Sequence, residues 1–163
     1  MKAKKIVEAK SDLSKLAELE PAIAPISVGE IMTKNVVCLS PHETFAEAIG
    51  LMANRPFRHF LVVEDDDRLV GVVSDRDLLR ILARTPSWQK TRVAEVMTRT
   101  TITVHPDTPL STAIDEMLLH RINCLPVVDD KECVLGIVTS TDLLRVLKAT
   151  QTCLERVREV ELA

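Results

Sequence analysis

From Val28 onward the apolar positions follow a fixed order of rhythms, and that order occurs twice. A short amphipathic turn, Val28 to Thr33, leads into the strand-forming run Val36-Val37-Cys38-Leu39, closed by Pro41, which has no N–H to give to a ladder. Phe45, Ala48, Ile49 and Met52 then stand at the i, i+3, i+4, i+7 spacing of a helix with one buried face, and Thr44 and Glu47 have the spacing of a capping box at its start. Two apolar runs, Phe60 to Val63 and Leu69 to Val73, flank the acidic stretch Glu64 to Arg68 and predict a hairpin of buried strands. After Ser74 a last helix carries Leu78, Leu79, Ile81 and Leu82.

The same series returns 65 residues later without a gap, so that Val28–Arg80 lies over Val93–Arg145 with about a third of the positions identical. Met32 falls on Met97, Pro41 on Pro106, Gly71 on Gly136, and Asp77-Leu78-Leu79-Arg80 on Asp142-Leu143-Leu144-Arg145. The second copy has its strand at Thr101 to Val104, its helix after Thr108-Pro109, and its hairpin at Leu125 to Val128 and Val134 to Val138. A period this long, present only twice, predicts two subdomains packed about a pseudo-twofold axis and no extended array. The expected class is mixed α/β (α+β), two βαββα units packed through their sheets, because strands apolar along their whole length need cover on both faces. The expected organisation is an N-terminal helical segment at 1–27, the first repeat at 28–84, a polar linker at 85–92 containing Pro86, the second repeat at 93–147, and a helical extension at 148–163, where Val146, Cys153, Val157 and Val160 keep a three-four rhythm.

Composition narrows the function. With no Tyr, one Trp and three Phe the chain lacks stacking platforms for single-stranded nucleic acid, and a net charge of -3 with scattered basic residues argues against a duplex footprint. The four cysteines form no CxxC pair and the four histidines no HExxH spacing, so no metal site is expected. Asp65-Asp66-Asp67 lacks the ligand spacing of a calcium loop and reads as a solvated hairpin turn. No apolar stretch of spanning length interrupts the chain, which reads as a cytoplasmic protein with reduced thiols and no membrane contact. GxSxG, Walker A and HExxH are absent, the sequence leaves no room for a catalytic domain, and no catalytic residue is assigned.

The candidate chemistry sits where the third strands end. Gly71-Val72-Val73-Ser74-Asp75-Arg76-Asp77 and Gly136-Ile137-Val138-Thr139-Ser140-Thr141-Asp142 share the form Gly-aliphatic-aliphatic-hydroxyl-x-x-Asp. With the Met-Thr near each start, the run Leu125 to Asp129 and the gapless duplication, the chain resembles the cystathionine-beta-synthase (CBS) domain family over about Val28 to Leu147. Members of that family pair two such repeats into a Bateman module that senses adenosine nucleotides. The resemblance implies that Ser74 and Asp77, and Thr139 and Asp142, bind the ribose or phosphate of AMP, ADP or ATP, with S-adenosylmethionine and NAD as further members of the ligand class. The chemistry is sound: a carboxylate accepts from vicinal ribose hydroxyls and a helix N-terminus favours phosphate. The same Ser-x-x-Asp and Thr-x-x-Asp spacings are also capping boxes, which start a helix with no ligand at all.

The resemblance further implies an adenine cleft along Val36 and Val37 with His59, Phe60 and Leu61, and along Ile102 and Thr103 with Cys124, Leu125 and Pro126. Leu61 departs from the pattern where the second copy has Pro126. Arg58, Arg76, His120 and Arg121 are the phosphate candidates by motif position, with His59 and His120 alternatively ordinary edge histidines and Cys124 a small buried thiol. The family also implies a homodimer and a regulated partner protein that the sequence does not name. The rival reading is a ligand-free interaction module acting through its helical termini or dimer interface.

Overall fold

The computed structural model of the chain describes residues 26–53 and 58–161, with side chains through 158. The expected N-terminal helical segment therefore lies almost wholly outside the described residues. The first repeat holds α1 (Val28–Ile31), β1 (Cys38–Leu39), α2 (Phe45–Ala53), β2 (His59–Val63), β3 (Leu69–Ser74) and α3 (Asp75–Arg84). A 3-10 turn, Trp88–Lys90, follows Pro86 in the linker. The second repeat holds α4 (Val93–Val96), α5 (Leu110–His120), β4 (Cys124–Val128), β5 (Val134–Thr139) and α6 (Ser140–Glu161), the last running unbroken over 22 residues.

β1, β2 and β3 form one sheet in that order, β1 parallel and β3 antiparallel to β2, and β4 and β5 form an antiparallel pair. The first strand of each copy is shorter than its apolar run. In the second copy it reduces to a parallel bridge between Val104 and Val127. Both hairpins carry a register shift at the same place, between Val62 and Val63 and between Val127 and Val128. Asp67 and Glu132, 65 apart, both take positive φ, at 60° and 65°. The hairpin tips meet, with Leu69 N–H donating to Glu132 O and Val134 N–H to Asp67 O, each at 3.0 Å.

The leading segment of each repeat docks on the other repeat. Thr33 and Ile137 exchange backbone hydrogen bonds at 2.9 and 3.0 Å, and Val72 and Thr98 exchange the matching pair at 3.0 and 2.9 Å. Val28 and Gly29 donate to Thr108 O and Pro106 O, while Val93 and Ala94 donate to Glu43 O and Pro41 O. Core composition follows this exchange. Val93 and Met97 complete the cluster built from Phe45, Phe60, Val62 and Val73, and Val28 completes the one built from Ala113, Leu125, Val127 and Val138. A third cluster, Leu61 and Leu69 with Cys124, Val128 and Ile137, joins the two sheets. Trp88 stacks edge-on against Phe45 at 6.4 Å, so the linker closes the first core.

The repeated Gly and Met are two halves of one contact. A Cβ on Gly71 would lie 2.7 Å from Met97 Sδ, and one on Gly136 would lie 2.8 Å from Thr33 O and 3.0 Å from Met32 Sδ. Each glycine thus leaves room for the Met-Thr of the opposite repeat.

Candidate functional site

Where the hairpins point away from their joined tips, β3 and β5 run into α3 and α6, and both junctions open on one cavity of about 1060 Å³. Its wall is built largely from pairs of positions 65 apart: Thr33 and Thr98, Val37 and Ile102, His59 and Cys124, Ser74 and Thr139, Asp77 and Asp142. Because the leading segments are exchanged, Thr33 of the first repeat pairs with β5 and Thr98 of the second pairs with β3, while Val37 and Ile102 further along each segment pack on their own repeat's core. Each hydroxyl-x-x-Asp motif therefore faces residues contributed by the other copy.

The first motif is a full capping box, and the second makes the carboxylate half of one. The Ser74 hydroxyl and N–H donate to Asp77 Oδ2 at 2.6 and 3.0 Å, and Asp77 N–H returns to Ser74 Oγ at 3.3 Å. The Thr139 hydroxyl and N–H donate to Asp142 Oδ2 at 2.7 and 2.9 Å. Capping occupies one carboxylate oxygen and leaves Oδ1, so the two roles weighed from the sequence are compatible. The second oxygens differ. Asp77 Oδ1 stands 3.6 Å from Arg80 Nη1, and Asp142 Oδ1 accepts from Arg145 Nη1 at 2.8 Å. The Asp142 side chain is 5% exposed against 21% for Asp77.

Of the residues singled out in the sequence, the cavity is lined by Val36, Val37, Arg58, His59, Ser74, Arg76 and Asp77 from the first repeat, and by Ile102, Arg121, Cys124, Pro126, Thr139 and Asp142 from the second. Phe60, Leu61, Thr103, Leu125 and His120 do not line it. Alternation along extended backbone accounts for two of these, Phe60 and Leu125. Phe60 and Leu125 follow the wall residues His59 and Cys124 and turn into the two repeat cores, fully buried. Thr103 is half-buried and belongs to none of the three apolar clusters. Leu61 is on the face of His59, but its side chain fills the cluster between the sheets. His120 is exposed on the last turn of α5, 3.3 Å from Glu116 one turn back.

Pro126 is tolerated inside β4 because its partner Ile137 gives both N–H and C=O to Thr33, outside the hairpin, so that pair exchanges no ladder bond. Wall residues overlooked in the sequence include Thr33, Asn35, Thr98, Thr100, Thr101 and Arg145. The repeated Met-Thr and Asp-Leu-Leu-Arg were visible signals for Thr33, Thr98 and Arg145.

Two wall residues have altered acidity. Burial pushes the His59 imidazole below its ordinary value, with Arg58 working the same way and Asp75 and Asp77 opposing. Burial pushes the Cys124 thiol up to about 12, which makes it a packing residue and a poor nucleophile. Among the described residues no group of His, Cys, Asp and Glu could hold a metal ion, and no helix is long and apolar enough to cross a membrane.

Residues 28–84 and 93–149 each match the CBS domain. The chain is 32% identical over 127 residues to the inosine-5'-monophosphate dehydrogenase of Methanocaldococcus jannaschii, covering 78% of this chain and 25% of that enzyme. It thus spans about a quarter of the length of that relative. Among solved structures, the CBS domain pair of protein MJ0100 in complex with 5'-methylthioadenosine and S-adenosyl-L-methionine superposes with a TM-score of 0.72 at 30% identity, covering 78% of this chain and 99% of that one. CBSX2 in complex with AMP gives 0.68 at 28% identity, covering 77% and 98%. Duplication, exchanged leading segments and paired hydroxyl-x-x-Asp junctions agree with these matches, and the chain belongs to the CBS domain family as a tandem pair.

Proposed function

We propose that this CBS pair is a regulatory module, not an enzyme, that binds an adenosine nucleotide in the cavity between its repeats and passes the binding state to a partner protein in the cytoplasm. The observation carrying this reading is that both hydroxyl-x-x-Asp junctions open on one cavity of about 1060 Å³, large enough for a nucleotide. The ribose diol donates to the carboxylate oxygen that the cap leaves on Asp142 or Asp77, and Ser74 and Thr139 hold those carboxylates in place. Adenine lies against the aliphatic wall of Val36, Val37 and Ile102. Arg58, Arg76 and Arg121 are the cations for phosphate, and the ligand is AMP, ADP or ATP, with S-adenosylmethionine and NAD in the same class. Structures of similar CBS pairs hold AMP, or 5'-methylthioadenosine with S-adenosyl-L-methionine, which supports this class of ligand.

The second junction is the better site, since Pro126 opens its wall where Leu61 fills space in the first copy. Asp142→Ala removes a charged acceptor worth about 1.5–3 kcal/mol, so affinity falls roughly ten- to a hundredfold, and Asp77→Ala costs less. Calorimetric titration of AMP and ATP into each variant, shown to be folded by circular dichroism, tests the assignment. Equal losses, or the larger loss at Asp77, would refute the ranking.

The module acts as a homodimer. Leu79 and Leu82 on α3 and their counterparts Leu144 and Leu147 on α6 are 41–66% exposed, an apolar surface that a second copy would cover. Light scattering at tens of micromolar tests this, and a monomer mass with or without nucleotide would refute it.

A further inference from the structure

We infer that Arg145 sets the preference of the second site for phosphorylated ligands by exchanging Asp142 for phosphate; this rests on the nucleotide-binding reading above. Asp142 is 4% exposed and has a single oxygen left by its capping contacts. Arg145 occupies that oxygen at 2.8 Å, while its own side chain is 72% exposed and lines the same cavity. That oxygen accepts two hydrogen bonds, so a ribose diol that places both its hydroxyls there competes with the Arg145 guanidinium. A ligand that takes Asp142 Oδ1 frees an arginine at the cavity wall, on a long side chain one helical turn from the junction.

Besides Asp142 the acidic residues of the cavity wall are Asp75 and Asp77, both contributed by the first repeat, whereas the second repeat's share of the wall is otherwise neutral or basic, with Arg121, Asn123, Ser140 and Thr141 among it. A phosphate on the ligand gives the planar fork of the freed guanidinium two oxygens to bind in bidentate fashion. A nucleoside without phosphate displaces the arginine and offers nothing in return. Arg145 thus opposes uncharged nucleosides and favours nucleotides. The first repeat lacks this device, since Arg80 stands 3.6 Å from Asp77 and does not line the cavity.

The test uses calorimetry with adenosine and AMP as probes, on the full chain carrying Asp77→Ala so that the second carboxylate alone is read. Adding Arg145→Ala, at an exposed helical position where alanine favours folding, should tighten adenosine about two- to fivefold by removing an exposed ion-pair competitor. The AMP-over-adenosine preference should fall about tenfold. Arg145→Lys should retain part of the preference, and Arg80→Ala none of the effect. An unchanged AMP-to-adenosine ratio in Arg145→Ala, or the same change in Arg80→Ala, would overturn the inference while leaving nucleotide binding in place. So would AMP binding to the unsubstituted chain that disappears altogether in the Asp77→Ala background. Failure of the unsubstituted chain to bind either ligand would instead overturn the nucleotide reading, and this inference with it.

Discussion

Gly136→Ala perturbs the exchange of leading segments at its tightest point. The new Cβ would stand 2.8 Å from Thr33 O and 3.0 Å from Met32 Sδ. The sulfur ends a flexible side chain and can swing. The carbonyl cannot, because Thr33 is tied to Ile137 by two backbone hydrogen bonds at 2.9 and 3.0 Å. Relieving the clash means moving α1 off the second repeat or stretching that pair. Overpacking of this kind costs about 1–3 kcal/mol, and the lower backbone entropy of alanine in the unfolded chain offsets about 0.5–1 kcal/mol of it. The net expectation is a loss of about 1–2 kcal/mol, or a melting temperature lower by about 2–8 °C for a chain of this size. Gly71→Ala should cost less, since its nearest contact at 2.7 Å is the movable Met97 Sδ and its nearest carbonyl is 3.0 Å away. Urea unfolding followed by circular dichroism and by the fluorescence of Trp88 supplies the comparison. A Gly136→Ala variant as stable as the unsubstituted chain, or more stable, would refute the docking of Thr33 on β5.

Residues 1 to 86 alone should show no cooperative unfolding, because Val93 and Met97, which complete the first core, and Trp88, which covers Phe45, all lie beyond that cut; a sharp urea transition from the monomeric fragment would contradict this. The lowered pKa of His59, buried as the neutral imidazole, makes a stabilising contribution that is fully present above its ordinary value near 6.5 and is lost as pH falls through the lower folded value. The urea midpoint should therefore drop between pH 7.5 and 5.5, a window above the carboxylate range, and His59→Gln should flatten the drop; equal slopes in both proteins would count against it. At pH 8 Cys153, which is exposed, should react with a thiol reagent well before Cys124, whose thiol is held at about 12, and early labelling of Cys124 would disprove its burial.

Much of this architecture is legible in the sequence because apolar periodicity reports which face of an element is buried. The i, i+3, i+4, i+7 set around Phe45 and Ala48 and the Val-rich hairpins correspond to α2 and to β2 and β3. Periodicity does not report what covers a buried face. Val28 and Val93 read alike whether they pack on their own repeat or on the other, so the exchange of leading segments is invisible until Gly136 and Gly71 are seen against Met32 and Met97. At the site, a motif marks a short run as a whole, Phe60 and Leu125 included, whereas alternation sends every second residue of a strand into the core. Leu61 was a different case. It shares the face of His59, and only the packing of the two sheets shows that it fills the space between them. Arg145 was overlooked because the repeated Asp-Leu-Leu-Arg reads as an ordinary helix turn. Its value lies in a contact with Asp142 that one exposed side chain makes.

The most direct test of the nucleotide-binding account is calorimetric titration of AMP into the full chain and into the Asp77→Ala/Asp142→Ala double variant, with folding of both checked by circular dichroism. The account predicts saturable heat from the unsubstituted chain and an affinity lower by at least about tenfold in the variant. Equal binding by the two proteins, or no heat of binding from AMP, ATP or S-adenosylmethionine with the unsubstituted chain, would contradict it.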